Sequence, residues 1–193
     1  SREEMIALFD VSDANASASK FNPEKLRWLN QQYIMAAEPV TLATELTVQL
    51  ERAGLDPARG PAPDAVIRAY RERAETLSDL ASAVRYLYED EIVVDAASAK
   101  KQLRPVMIEP FVTLIERFSA ADDWSAANLQ DALQATADAH KIKFGKLGQP
   151  VRVAVTGGSV SPPIDVTLEL LGKPRVQQRL DAALVSMRDR AAG

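Results

Sequence analysis

Cysteine is absent from the 193 residues, and histidine occurs once, as His140. There can be no disulfide framework, no thiolate nucleophile, no Cys/His zinc site and no pair of metal-binding histidines. Ser-His-acid catalysis would have to run through His140 alone. No apolar run approaches the roughly 18 residues of a membrane span, and no basic-plus-apolar leader is visible. The glycine-rich phosphate loop ending in Gly-Lys-Ser/Thr is missing, as are the GxGxxG and GxSxG patterns. Carboxylates are plentiful, but none forms a recognisable acid–base pair. The expectation is a cytoplasmic chain that is not a complete enzyme. It begins at Ser1 rather than Met, which reads as a piece of something longer.

What is present is an ordinary globular composition, 47% apolar and 26% charged. The net charge of −4 is unevenly spread: residues 1–140 carry 14 basic and 23 acidic side chains, residues 141–193 nine basic and four acidic. A positive end on an acidic chain is compatible with phosphate contacts made in one place, although charged helix surfaces are the ordinary explanation.

The periodicity is helical. Ser1 and Glu4 have the spacing of a capping box, and Asp10 to Ser19 reads as a loop. Asn22-Pro23 starts a helix whose Leu26, Leu29 and Tyr33 share one face, with Trp28 beside it. Pro39 opens another, with Ala43, Leu46 and Leu50 inward and Gly54 as its stop. After Gly60-Pro61-Ala62-Pro63, Asp64 can cap a helix that buries Val66, Ile67, Tyr70, Ala74 and Leu77. On its outer side Arg68 with Glu72 and Arg71 with Glu75 are spaced as i, i+4 pairs, each worth about 0.2–0.5 kcal/mol. Ser78 restarts a helix through Leu80, Val84, Leu87 and Tyr88, and Asp95 to Leu103 reads as another. Pro110 should kink or break the stretch from Pro105 to Phe118. Ser125 should cap a helix with Leu129, Leu133, Thr136, Ala137 and His140 on one stripe. His140, lacking an acidic or histidine partner, reads as structural rather than catalytic. Val151 to Val155 alternates like a strand, but so short an apolar run cannot settle strand against helix. Gly157-Gly158 reads as a turn, and Val176, Leu180, Ala183, Leu184 and Met187 define the last helix.

Several stretches carry a family resemblance. Phe21-Asn22-Pro23-Glu24-Lys25-Leu26-Arg27-Trp28-Leu29-Asn30, running on to Tyr33-Ile34, resembles the segment of bacterial glutamyl-tRNA synthetases that follows their catalytic domain. Glu72 to Leu77 and Arg85-Tyr86-Leu87-Tyr88 fit next in order. Leu147-Gly148-Gln149-Pro150 through Gly157, Ser161-Pro162, Leu170-Leu171-Gly172-Lys173 and Arg179-Leu180 resemble that family's C-terminal anticodon-binding region. The resemblance implies an all-α fold, helical also across Val151 to Val155. Residues 1–37 would be the end of a stem-contact segment, and 38–122 and 123–193 two packed helical anticodon-binding subdomains.

The resemblance also implies a function. The parent would be a class I glutamate–tRNA ligase using ATP and Mg2+ in a catalytic domain that this chain lacks, so the chain alone should be inactive. Its partners would be the anticodon loop of tRNA(Glu) and the catalytic domain of the same chain, in a monomer. Arg73 matches the arginine that reads the third anticodon base, a task suited to a planar donor fork facing an unstacked base. Arg152 matches an arginine near the first and second bases, and Ser161, Pro162 and Ile164 a loop packed against them. Lys25, Arg27, Lys146, Lys173 and Arg175 would at most touch the tRNA backbone. The competing reading is an all-helical ligand-binding or dimerisation domain of a bacterial regulator, favoured by net acidity and the want of a long basic stripe.

Overall fold

A computed structural model describes residues 2–13 and 20–192. Ser1 and most of the expected 10–19 loop lie outside the described residues, so the Ser1–Glu4 capping box does too. Eleven α-helices are described: α1 (Arg2–Leu8), α2 (Pro23–Ala36), α3 (Pro39–Arg52), α4 (Pro63–Tyr70), α5 (Leu77–Ala83), α6 (Ala96–Gln102), α7 (Ile108–Ala120), α8 (Ala126–Ala139), α9 (Phe144–Thr156), α10 (Ile164–Leu171) and α11 (Lys173–Ala192). No strand occurs among the described residues. The alternation at Val151 to Val155 falls inside α9, whose Val151, Val153, Ala154 and Val155 are all buried. A helix enclosed on most sides loses its amphipathic signature, which is why the pattern mimicked a strand.

The local start signals act as the sequence suggests, with instructive exceptions. Asn22 accepts a hydrogen bond from the Lys25 amide and Asp95 from that of Ser98, so these side chains satisfy first-turn donors of α2 and α6. The helix expected to restart at Ser78 begins instead at Leu77, with Thr76 as its cap accepting from the Asp79 amide, and the helix before it ends at Tyr70 rather than running on to Leu77. Asp64 lies one residue inside α4 and pairs with Arg68 instead of capping. Ser125 holds the cap position, but its hydroxyl donates to Asp123, and Glu169 of α10 accepts from the Ala126 amide. Pro110 neither kinks nor breaks α7: it is the third residue of that helix, where a backbone N–H would have no intrahelical partner. The pairs Arg68–Glu72 and Arg71–Glu75 do not form. α4 ends at Tyr70 and Arg71–Arg73 tightens into a 3-10 turn, which destroys the i, i+4 geometry.

One continuous core runs through the molecule. Leu46 and Leu50 of α3 meet Val66 and Ile67 of α4 and Leu80 of α5, while Phe111, Leu114 and Phe118 of α7 pack with α8 and α11. The helices on either side of residue 122 therefore pack against each other, and α6 packs on α9. By packing, α3 to α5 form one group and α6 to α11 another, with residues 90–95 between them. Those residues lie against the end of α9, where the Gly157 carbonyl accepts from the Asp95 amide at 2.8 Å. Gly157 has φ +80°, and a Cβ there would meet the Val93 carbonyl oxygen at 2.5 Å, so this close approach requires glycine. Thr113 of α7 lies 2.8 Å from His140 Nε2 at the end of α8, giving the single histidine a structural bond.

α2 departs from the expected pattern. Its supposed inner face, Leu26, Leu29 and Tyr33, is 53%, 42% and 68% exposed, and only Ile34 is buried. Trp28 is exposed as well.

Candidate nucleic-acid interface

The turn Arg71–Arg73 and the loop 157–163 come together although they stand about 85 residues apart in the chain. Between them lies a cleft of about 220 Å³ lined by residues that include Tyr70, Arg73, Asp79, Val160 and Ser161. Arg73 is exposed and has no hydrogen bond or ion pair to any described residue, so its planar donor fork is free. Val160, 77% exposed, offers an apolar surface across the cleft.

Beneath lies a hydroxyl network. The phenolic oxygens of Tyr70 and Tyr86 are 2.5 Å apart, and Ser161 Oγ is 3.0 Å from Thr167 Oγ1. Burial pushes both phenols above their ordinary range, so they stay neutral donors. Arg152 fastens the loop to α9. Its Nη1 donates to the Ser161 carbonyl at 2.9 Å, to Ser161 Oγ at 2.5 Å and to the Pro162 carbonyl at 2.7 Å, while Nε donates to Gln149. Desolvation lowers the Arg152 guanidinium below its ordinary value, and the nearby charge of Arg73 acts in the same direction. Of the two cations only Arg73 lines the cleft, where its open fork suits an acceptor-rich ligand; Arg152 is taken up with holding the loop.

The other residues expected at the site fall into two sets. Ser161, Pro162 and Ile164 are buried in the free chain, so they shape the loop from within while Ser159, Val160 and Pro163 are its exposed residues. Arg27 is tied to Glu75 and Asp79 rather than left for a phosphate. Lys173 Nζ donates to the Ser119 and Ala121 carbonyls, which closes the C-terminal end of α7. Arg175 donates to the carbonyls of Leu87 and Arg59 and pairs with Asp90. Lys25 and Lys146 are exposed and remain open to solvent. A cation's fate depends on which carbonyls the fold brings near it, and no local pattern announces that.

Arg179 had drawn no notice as a functional candidate. It is 4% exposed and donates to the Val155, Tyr86 and Glu89 carbonyls at 2.6–2.8 Å, which ties α9 and α11 to the segment beneath the cleft. Its burial costs enough to bring its pKa down to about 10. Among the described residues, no group of three His, Cys, Asp or Glu side chains could hold a metal ion, and no helix is long and apolar enough to cross a membrane.

Comparison with known proteins decides the family. The model of the anticodon binding domain matches residues 18–184. The chain belongs to that family. Glutamate–tRNA ligase 1 of Nitrosococcus oceani is 45% identical over 181 residues, which cover 94% of this chain and 39% of that relative. The anticodon-binding domain described here thus spans about two fifths of the length of the curated relative. Among solved structures, the glutamate tRNA ligase of Elizabethkingia meningosepticum in complex with its amino acid superposes with a TM-score of 0.86 at 23% identity, covering 97% of this chain and 37% of that one. The glutamate-tRNA synthetase of Elizabethkingia anophelis gives 0.80 at 24%, covering 95% and 36%. These structures share the all-helical fold of the anticodon-binding domain. The family match leaves the regulator reading without support.

Proposed function

We propose that the chain is the anticodon-reading part of a glutamate–tRNA ligase and that Arg73 reads the third anticodon base. The observation that carries this is the unpartnered Arg73 fork at a cleft whose opposite wall, Ser161 and the exposed Val160, comes from a different part of the chain. A splayed base needs both an edge reader and a surface to lie against. Arg152 holds the loop that supplies the second wall, with Ser161, Pro162 and Ile164 as its inner face. Lys25 and Lys146, both exposed, are the cations left to meet backbone phosphates in this reading. The partners are tRNA(Glu) and the catalytic part of the same chain, which would bind ATP and Mg2+ and attach the glutamate. The whole enzyme is read as a cytoplasmic monomer.

Fluorescence anisotropy of the chain with a tRNA(Glu) anticodon stem-loop, beside a loop changed only at the third base, tests this at two salt concentrations. The native loop should bind better, and Arg73→Gln should abolish the preference, a loss of about 1–3 kcal/mol by analogy with bidentate base-edge contacts. Equal binding of both loops with a strong salt dependence would reduce the interaction to phosphate attraction and refute the role of Arg73.

A further inference from the structure

Arg73 stands among acids. Glu72 and Glu75 flank it in sequence, and Asp79 lines the same small cleft. An arginine fork beside carboxylates ordinarily pairs with them in the strong bidentate geometry, which would occupy the donors that a base edge needs. Here that pairing is taken by another residue. Arg27 of α2 donates from Nε to Glu75 at 2.6 Å and from Nη2 to Asp79 at 2.5 Å. Beside it, Asn30 donates to the Glu75 carbonyl at 2.6 Å and Gln31 to the Glu72 carbonyl at 3.0 Å. These four bonds fall on both sides of Arg73, and α2 buries only Ile34. The ion pairs are about half exposed, and such pairs add little to stability. Fold stability therefore does not account for so specific an arrangement.

We infer that Arg27 is a specificity-determining residue that keeps Arg73 free by engaging the carboxylates of Glu75 and Asp79, while Asn30 and Gln31 fix the turn on which Arg73 stands. The inference rests on the reading of Arg73 given above. Without Arg27, Glu75 and Asp79 would capture the Arg73 fork and leave the cleft with unpaired negative charge. All three residues of α2 are positioning residues, since none is placed to touch the base.

The test uses the 193-residue chain, two anticodon stem-loops that differ only at the third base, and the Nε–H signal of Arg73 in NMR. In Arg27→Gln the ratio of the two affinities should fall about tenfold, the size of one good base contact, and the Arg73 signal should become protected from exchange. Adding Glu75→Gln and Asp79→Asn to that variant should bring the ratio back to within about twofold and release the signal, because the competing carboxylates are gone. Asn30→Ala with Gln31→Ala should lower the ratio without rescue by those charge removals. An unchanged ratio and an unchanged Arg73 signal in Arg27→Gln would overturn the inference, while the reading of Arg73 would stand so long as Arg73→Gln abolishes the preference. A lowered ratio that the charge removals fail to restore would overturn the capture of Arg73 by carboxylates. An unmutated chain with no preference between the loops would overturn both readings together.

Discussion

Replacing Arg152 by methionine keeps much of the aliphatic stem and removes the guanidinium. The Ser161 carbonyl, Ser161 Oγ and the Pro162 carbonyl then lose a donor. All three share Nη1, which carries two hydrogens, so the loss at the loop amounts to two bonds rather than three, and the Nε bond to part-exposed Gln149, which water can replace, goes as well. Ser161 Oγ and the Pro162 carbonyl keep each other and Thr167 as partners. The Ser161 carbonyl is left bare. Bonds from a charged donor contribute about 1.5–3 kcal/mol each, but the variant also escapes the desolvation that now depresses the Arg152 pKa. The net loss is about 2 kcal/mol, or a fall of about 4–8 °C in Tm for a chain of this length. Thermal unfolding followed by circular dichroism measures that loss, and amide exchange locates it. Exchange should quicken across 158–162 and not along α9. Stem-loop affinity should drop while the preference at the third base survives, because Arg73 stands on a separate turn. An unchanged Tm and unchanged exchange, together with loss of base preference, would show that Arg152 contacts RNA itself and that its role as the loop's anchor is wrong.

Gly157→Ala should cost at least about 2 kcal/mol in urea unfolding, since a left-handed backbone costs a Cβ-bearing residue about 1–2 kcal/mol before the contact with Val93 is counted. Gly145→Ala, on the same helix with open space around a new Cβ, should instead stabilise by about 0.4–1 kcal/mol. Buried Tyr70 and Tyr86 have folded pKa values raised above the unfolded value near 10, so their contribution is complete below pH 10 and falls as pH rises beyond it. Tyr88, pushed up to about 12, acts in the same direction. Urea midpoints between pH 8 and 11 should therefore fall less steeply for Tyr70→Phe than for the unmutated chain, and equal slopes would contradict the buried pair. Trp124 donates to the Leu168 carbonyl at 3.0 Å and meets Phe118 edge to face at 5.2 Å, whereas Trp28 is 56% exposed. Acrylamide should quench Trp124→Phe strongly and Trp28→Phe weakly, and the reverse order would refute the placement of α2.

Much of the candidate site was legible because a family pattern marked Arg73 and the 161–164 loop, yet their physical roles were not. The pattern grouped Arg73, Arg152 and Ser161 as one set of base contacts. The fold separates a free arginine from an arginine bonded to the loop and a serine facing inward. Tyr70 was legible as core from its spacing, but its hydroxyl bond to Tyr86 joins helical segments with no common periodicity. The exposed face of α2 shows the reverse failure: helical spacing predicts an apolar stripe without saying that anything covers it.

By itself the sequence determined where many helices begin or end, because a capping side chain or first-turn proline at the start and a left-handed glycine at the end act within a few residues of their own position. Its helical periodicity pointed to the all-helical class, its lack of cysteine and single histidine excluded thiolate and Cys/His zinc chemistry, and its missing Gly-Lys-Ser/Thr pattern excluded a phosphate loop. Only the tertiary structure decided which cations remain available. Arg152, Lys173, Arg175 and Arg179 are drawn to backbone carbonyls, in the case of Arg179 to one 93 residues away, while Arg73 stays free because Arg27 reaches across 48 and 52 residues to hold the acids beside it. Charge is written in the sequence, but the partner of each charge is a fact of distance.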